Sequence, residues 1–198
     1  MSTFSRPARQ ALIAAAALVA SLGAVALQAQ APAATAAPNA LKVGDAAPDF
    51  TLLTVTKNGL EAKPFKLSEH RGETVVLAFF PKARTSGCTT QMKAYRDQYA
   101  QVFLDGKKVS LIGVSTDPDS ALTSWAKDEQ FPFRFGADTD RAVGVAYGAN
   151  LGTGSHKRHL YVIDPKGKIA YIATPFLQMS ADAYSALGSA VATAGSAK

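Results

Sequence analysis

The chain has 198 residues, of which 47% are hydrophobic and 18% charged, and its 21 Lys and Arg against 15 Asp and Glu give a net charge of +6. The basic residues are scattered with no run of five or more, so the excess reads as an ordinary solvated surface and no nucleic-acid partner is expected. A single cysteine excludes any disulfide closed within the chain.

Residues 1–31 have the layout of an export signal: Arg6 and Arg9, an apolar run from Ala11 to Leu27, then small residues ending in Ala29-Gln30-Ala31. The run is soft and alanine-rich, near the lower limit of ~17 to 25 residues that span a bilayer. No twin arginine precedes it and no cysteine follows it to accept a lipid. Cleavage and export are expected, to the periplasm if the source cell has two membranes, with no membrane attachment afterwards; an uncleaved membrane anchor is the alternative reading of the same run. Loss of Arg6 and Arg9 leaves 19 basic and 15 acidic residues, a charge of +4. Residues 32–40, rich in Ala and Pro, are expected to be a disordered leader. Residues 41–198 then form one domain around one core, with no internal repeat.

Within that domain, Phe50 to Leu52 and Phe65 to Leu67 predict short edge strands or extensions. Thr74 to Phe80 and Val109 to Ser115 are almost continuously apolar, as strands covered on both faces must be, and predict the centre of a sheet. From Cys88 the large side chains recur at Met92, Tyr95, Tyr99 and Val102/Phe103, predicting one helix whose other face carries Lys93, Arg96, Asp97 and Gln101. Asp117-Pro118-Asp119-Ser120 starts a second helix with Leu122, Trp125 and Ala126 inward. Leu160 to Asp164 and Ile169 to Ile172 are joined by Asp164-Pro165-Lys166-Gly167-Lys168, which predicts an antiparallel edge pair. A last helix runs from Ser180 to about Thr193. Strand, helix, strand in sequence implies parallel crossovers and an α/β fold.

The residues with chemistry cluster between the first central strand and the first helix, in Phe79-Phe80-Pro81-Lys82-Ala83-Arg84-Thr85-Ser86-Gly87-Cys88-Thr89-Thr90. Open α/β sheets place ligands at this carboxyl edge. A helix N-terminus favours an anion, hence thiolate over thiol. That effect is about 0.3 to 1 kcal/mol, less than one pKa unit, so a hydrogen bond and a fixed positive charge are also required. Thr85, three residues before Cys88, is within reach of the sulfur or an incoming oxygen. Gly87 lets backbone approach a substrate with no β-carbon in the way. Pro81 offers no N–H and can shield the sulfur from water.

Pro81-x-x-x-Thr85-x-x-Cys88 resembles the active-site motif of the peroxiredoxins, and Phe80-Pro81-Lys82 with Gly87-Cys88-Thr89 looks most like the bacterioferritin-comigratory, or peroxiredoxin Q, branch. Val43-Gly44-Asp45-Ala46-Ala47-Pro48-Asp49-Phe50-Thr51-Leu52 resembles the family's opening, Gly113-Val114-Ser115 and Phe131-Pro132-Phe133 its middle, and Arg158, six residues before Asp164, its catalytic arginine. The resemblance spans about residues 41 to 190. It implies a thioredoxin-like fold, a central mixed sheet flanked by helices with an N-terminal strand extension. It implies catalytic roles for Cys88, Thr85, Arg158 and Pro81, with Gly87, Cys88 and Thr85 binding a hydroperoxide. Many members of the branch carry a second cysteine five residues on, where this chain has Lys93.

The expected reaction is therefore a one-cysteine one. The Cys88 thiolate attacks hydrogen peroxide or an organic hydroperoxide, and the sulfenic acid is resolved by a small thiol, a thioredoxin-like protein or Cys88 of another copy; unresolved, it climbs to sulfinic acid. No metal or cofactor is expected, and the chain is expected to be a monomer or homodimer. A thiol-disulfide oxidoreductase on the same fold needs Cys-x-x-Cys, which Cys88-Thr89-Thr90-Gln91 does not offer. A non-catalytic peroxide sensor shares the motif and differs in lacking turnover. His70, His156 and His159 read as surface and loop histidines without a ligand pattern. Trp125 and the aromatics near Tyr95 read as core, and Gly148 to Gly154 lacks the strand-to-helix context of a phosphate loop.

Overall fold

The computed structural model describes residues 40–196. The expected signal, 1–31, and all but the last residue of the expected leader lie outside the described residues. Among those described, no helix is long and apolar enough to cross a membrane.

The chain first lays down β1 (Thr51–Leu52), the hairpin of β2 (Thr54–Thr56) and β3 (Gly59–Leu60), and β4 (Phe65–Lys66). The alternating part follows: β5 (Thr74–Phe79), α1 (Ser86–Asp97), α2 (Tyr99–Phe103), β6 (Val109–Ser115), α3 (Asp119–Asp128), β7 (Arg134–Ala137) and α4 (Ala142–Ala146). It closes with β8 (Leu160–Ile163), β9 (Ile169–Ala173) and α5 (Ala181–Ser196). Seven strands form one sheet in the order β3-β2-β7-β6-β5-β8-β9, while β1 and β4 pair separately. β5, β6 and β7 run parallel; β8, β9, β2 and β3 pair antiparallel.

All six residues of β5 are buried, because the strand is central and covered on both faces. Its side chains alternate between two cores. Val76, Ala78 and the following Phe80 join Cys88, Met92, Tyr95, Leu122, Trp125 and Leu187 under α1, α3 and α5. Val75, Leu77 and Phe79 join Phe50, Phe65, Tyr147, Tyr161 and Ile163 on the other face, which is closed mainly by the N-terminal segment and short α4. Each large apolar side chain so buried contributes roughly 1.5 to 3 kcal/mol.

The two central strands, the β8–β9 edge pair and the last helix lie where the sequence predicts them. The single helix expected from Cys88 to Phe103 is instead broken at Gln98 (φ −107°, ψ 16°) into α1 and α2. The apolar positions keep their spacing across the break, so the pattern conceals it. The short β2, β3, β7 and α4 are not predicted from the sequence.

Sheet register brings the distant arginine to the cysteine loop. Ala78 of β5 pairs with Leu160 of antiparallel β8, and the Phe79 N–H bonds to the His159 carbonyl at 2.8 Å. Residue 158 therefore emerges at the end of β5 from which the cysteine loop departs.

Candidate active site

β5 ends, the loop 80–85 turns outward, and α1 begins with Cys88 in its first turn. The loop is held from two sides. The Ala83 N–H donates to Asp117 Oδ2 at 2.8 Å, and that carboxylate also accepts from Ser115 Oγ at 2.9 Å. Arg84 adopts φ +65°, a region non-glycine residues rarely occupy, while its guanidinium bonds Ser124 Oγ (2.9 Å) and Asp128 Oδ2 (2.5 Å) on α3.

The Cys88 side chain is wholly buried, and Arg158 Nη2 donates to its sulfur at 3.4 Å. The other arm of that guanidinium, Nη1, donates to Gln91 Oε1, and Gln91 Nε2 donates to Tyr95 Oη at 2.8 Å. Burial pushes the Tyr95 phenol far above its ordinary range, so it stays neutral at the end of this chain. A fixed cation thus faces the sulfur, oriented by a neutral amide and phenol and paired with no carboxylate among the described residues.

Thr85 occupies the N-cap position of α1 but its side chain does not cap the helix. Its hydroxyl donates to the Lys82 carbonyl at 3.0 Å, which leaves lone pairs of the oxygen free to accept. The first-turn N–H groups, with no partner inside the helix, are left without a side-chain acceptor. Pro81 is half-buried in the approach to the loop. A β-carbon at Gly87 would stand 3.4 Å from Gln178 Nε2 and 3.6 Å from Arg158 Nη2, so the bare glycine keeps the space under these two side chains open.

Cys88, Gly87 and Arg158 are thus drawn together, with Thr85 and Pro81 on the loop that leads in. Gln91 and Gln178 were not anticipated. Gln91 could have been found as the polar residue one helical turn after Cys88 on the inward face; Gln178 is brought in by a loop with no local signal. Lys93, five residues after Cys88, points elsewhere and pairs with Glu129 Oε2 at 3.0 Å.

His156 corrects the reading of the histidines as surface and loop groups. It is fully buried, its Nε2 2.9 Å from Asp138 Oδ2 with the ring turned off the ideal hydrogen-bond direction, and its edge meets Phe79. Burial alone would push the Asp138 carboxyl up. The His156 imidazole and the backbone N–H groups of Gly144 (2.7 Å) and Val143 (3.1 Å) outweigh that and hold it below the usual carboxylate range. His70 instead pairs with Glu73 at 3.0 Å, and Trp125 is packed among Phe80, Phe131 and Phe135. A cavity of about 120 Å³ lined by Leu41, Tyr147, His159, Tyr161 and Ile172 belongs to the opposite face of the sheet from Cys88.

The AhpC/TSA family model matches residues 43–172. Peroxiredoxin Bcp of Escherichia coli (strain K12) is 32% identical over 146 residues, covering 70% of this chain and 88% of that protein. The chloroplastic peroxiredoxin Q of Triticum aestivum is 34% identical over 131 residues, 65% of this chain and 57% of that one. Among solved structures, peroxidoxin BcpB of Mycobacterium tuberculosis aligns with a TM-score of 0.64 at 28% identity, over 80% of this chain and 99% of that one.

Proposed function

The chain belongs to the AhpC/TSA family, on its Bcp and peroxiredoxin Q branch, and we propose that as a thiol peroxidase it runs a one-cysteine cycle at Cys88. The observation that carries the cycle is the Arg158 guanidinium 3.4 Å from a buried sulfur that has no second thiol anywhere in the chain. The guanidinium gives the sulfur a charged hydrogen-bond donor at the point where it attacks.

The Cys88 thiolate attacks the terminal oxygen of the hydroperoxide. A sulfur–oxygen bond forms as the O–O bond breaks; sulfur loses the two electrons the peroxide gains. Cysteine sulfenic acid remains, and the leaving hydroxide or alkoxide takes a proton from water. Thr85 Oγ1, its own proton committed to Lys82, accepts the hydrogen bond of the peroxide O–H. Arg158 and the first-turn N–H groups near Gly87 and Cys88 meet the charge that builds on the oxygens. Pro81, half-buried on the approach to the loop, shields the sulfur from water.

Regeneration needs an external thiol. It attacks the sulfenic acid, releasing water and leaving a mixed disulfide; a second thiol then frees Cys88. A small thiol, a thioredoxin-like protein and Cys88 of a second copy all fit this chemistry.

Stopped-flow mixing with hydrogen peroxide and with an organic hydroperoxide, followed by Trp125 emission, tests the first half. Oxidation should be stoichiometric and far faster than that of a free thiol, and Cys88→Ser should show none. Sustained peroxide consumption with dithiothreitol then separates an enzyme from a sensor, which would stop after one equivalent.

A further inference from the structure

Over the glycine of the active-site turn hang two nitrogen-bearing side chains, and the one-cysteine cycle uses only one of them. Gln178 Nε2 and Arg158 Nη2 lie 3.4 and 3.6 Å from the point where a β-carbon of Gly87 would stand. Gln178 is half-buried, and its side-chain amide makes no hydrogen bond to the protein among the described residues, although its backbone carbonyl accepts from Tyr184 Oη at 2.8 Å. A half-buried amide aimed at an active-site turn with its donors unspent is equipped to bind something that arrives.

The backbone that carries the amide is held in register. The Phe176 N–H donates to the carbonyl of Arg158 itself at 2.7 Å, and the Phe176 ring is buried against Tyr95 and Tyr184. The Ser180 N–H closes the turn onto the Leu177 carbonyl at 2.9 Å. The segment that carries Gln178 is thus registered directly on the residue that carries the catalytic guanidinium.

We propose that Gln178 is a substrate-contacting catalytic residue, whose side-chain N–H donates to the leaving oxygen of the hydroperoxide as the O–O bond breaks. The inference rests on the peroxidase reading above. As Cys88 sulfur bonds to the terminal oxygen, negative charge collects on the other one, and a neutral donor beside Arg158 over the turn stabilises it without competing for the thiolate. The oxygen then takes its proton from water and departs as water or alcohol; Gln178 gains and loses no proton. A glutamate of the same shape would place an anion there instead.

The test compares two reactions of the same sulfur in wild type, Gln178→Ala and Gln178→Glu: oxidation by hydrogen peroxide in stopped flow, and alkylation by iodoacetamide, which has no leaving oxygen. Gln178→Ala should lower the ratio of the oxidation to the alkylation rate constant by about tenfold, the worth of one hydrogen bond made in the transition state. Gln178→Glu should slow both reactions, oxidation more. An unchanged or increased ratio in Gln178→Ala overturns the assignment, because it means the side chain acts on access or on the thiolate and not on the peroxide. If wild-type Cys88 itself reacts with peroxide no faster than a free thiol, the peroxidase reading falls and the role of Gln178 with it.

Discussion

Two groups of polar side chains are buried at the carboxyl edge of one sheet, and they differ in how much of their hydrogen-bonding capacity is already used. After β7, Asp138 accepts from two backbone N–H groups and faces His156; both side chains are fully covered. After β5, Cys88 is equally covered, yet it meets a cation that pairs with no carboxylate among the described residues, beside helix N–H groups that the Thr85 side chain does not cap. The Asp138 carboxylate spends its oxygens on fastening α4, whereas the cysteine end sets a guanidinium against a sulfur. Burial is common to both, and the His156 ring nitrogens also lack a well-directed hydrogen bond, so neither burial nor an unspent polar atom marks the reactive group; a cation set against a nucleophile does.

Replacing Arg158 with Met should break this contrast most severely. Removing the fixed charge and donor is expected to slow Cys88 oxidation by on the order of 100-fold, read in stopped flow, with slower iodoacetamide alkylation at pH 7. A rate near wild type would mean that the helix end alone activates the sulfur.

Asp138→Asn should sharpen the contrast from the other side. Peroxide oxidation should stay within about twofold of wild type, while urea denaturation at pH 7 should show a loss of about 2 kcal/mol. Since folding holds this carboxyl below its ordinary range, its contribution is present above ~pH 3.9 and fades as pH falls through the folded-state value. The stability gap between variant and wild type should therefore close in acid. A drop in oxidation rate as large as that of the Arg158 variant would dissolve the distinction.

The smallest effect belongs to Lys93. Its ion pair with Glu129 is partly exposed, so Lys93→Ala should cost less than about 1 kcal/mol and leave oxidation unchanged. Chemical denaturation and stopped flow on the same sample check both.

Much of this was legible in the sequence because the chemistry is concentrated in one loop. Pro81, Thr85, Gly87 and Cys88 lie within eight positions of one another, and the apolar strand before them fixes the edge where they sit. Arg158 was identified only by resemblance; the physical reason it belongs there is the Ala78–Leu160 register, which no local pattern reveals. β7 escaped notice because four residues containing Arg134 and Gly136 carry little strand signal; pairing with β6 and β2 makes it a strand. α4 is five residues long and held by the Asp138 carboxylate, an interaction set by tertiary position. His156 gave no sign of burial, since it lies in a polar loop stretch and is enclosed only when α4 packs over it: a β-carbon at Gly144 would stand 2.2 Å from its ring.

The most direct test of the one-cysteine peroxidase is to add one equivalent of hydroperoxide to the reduced protein in the presence of dimedone and weigh the products. A peroxidase with an activated, solitary sulfur loses its free thiol within the dead time of hand mixing and, once dimedone has reacted to completion, carries one adduct per chain on the Cys88 peptide. A thiol that survives unmodified on that timescale would contradict it.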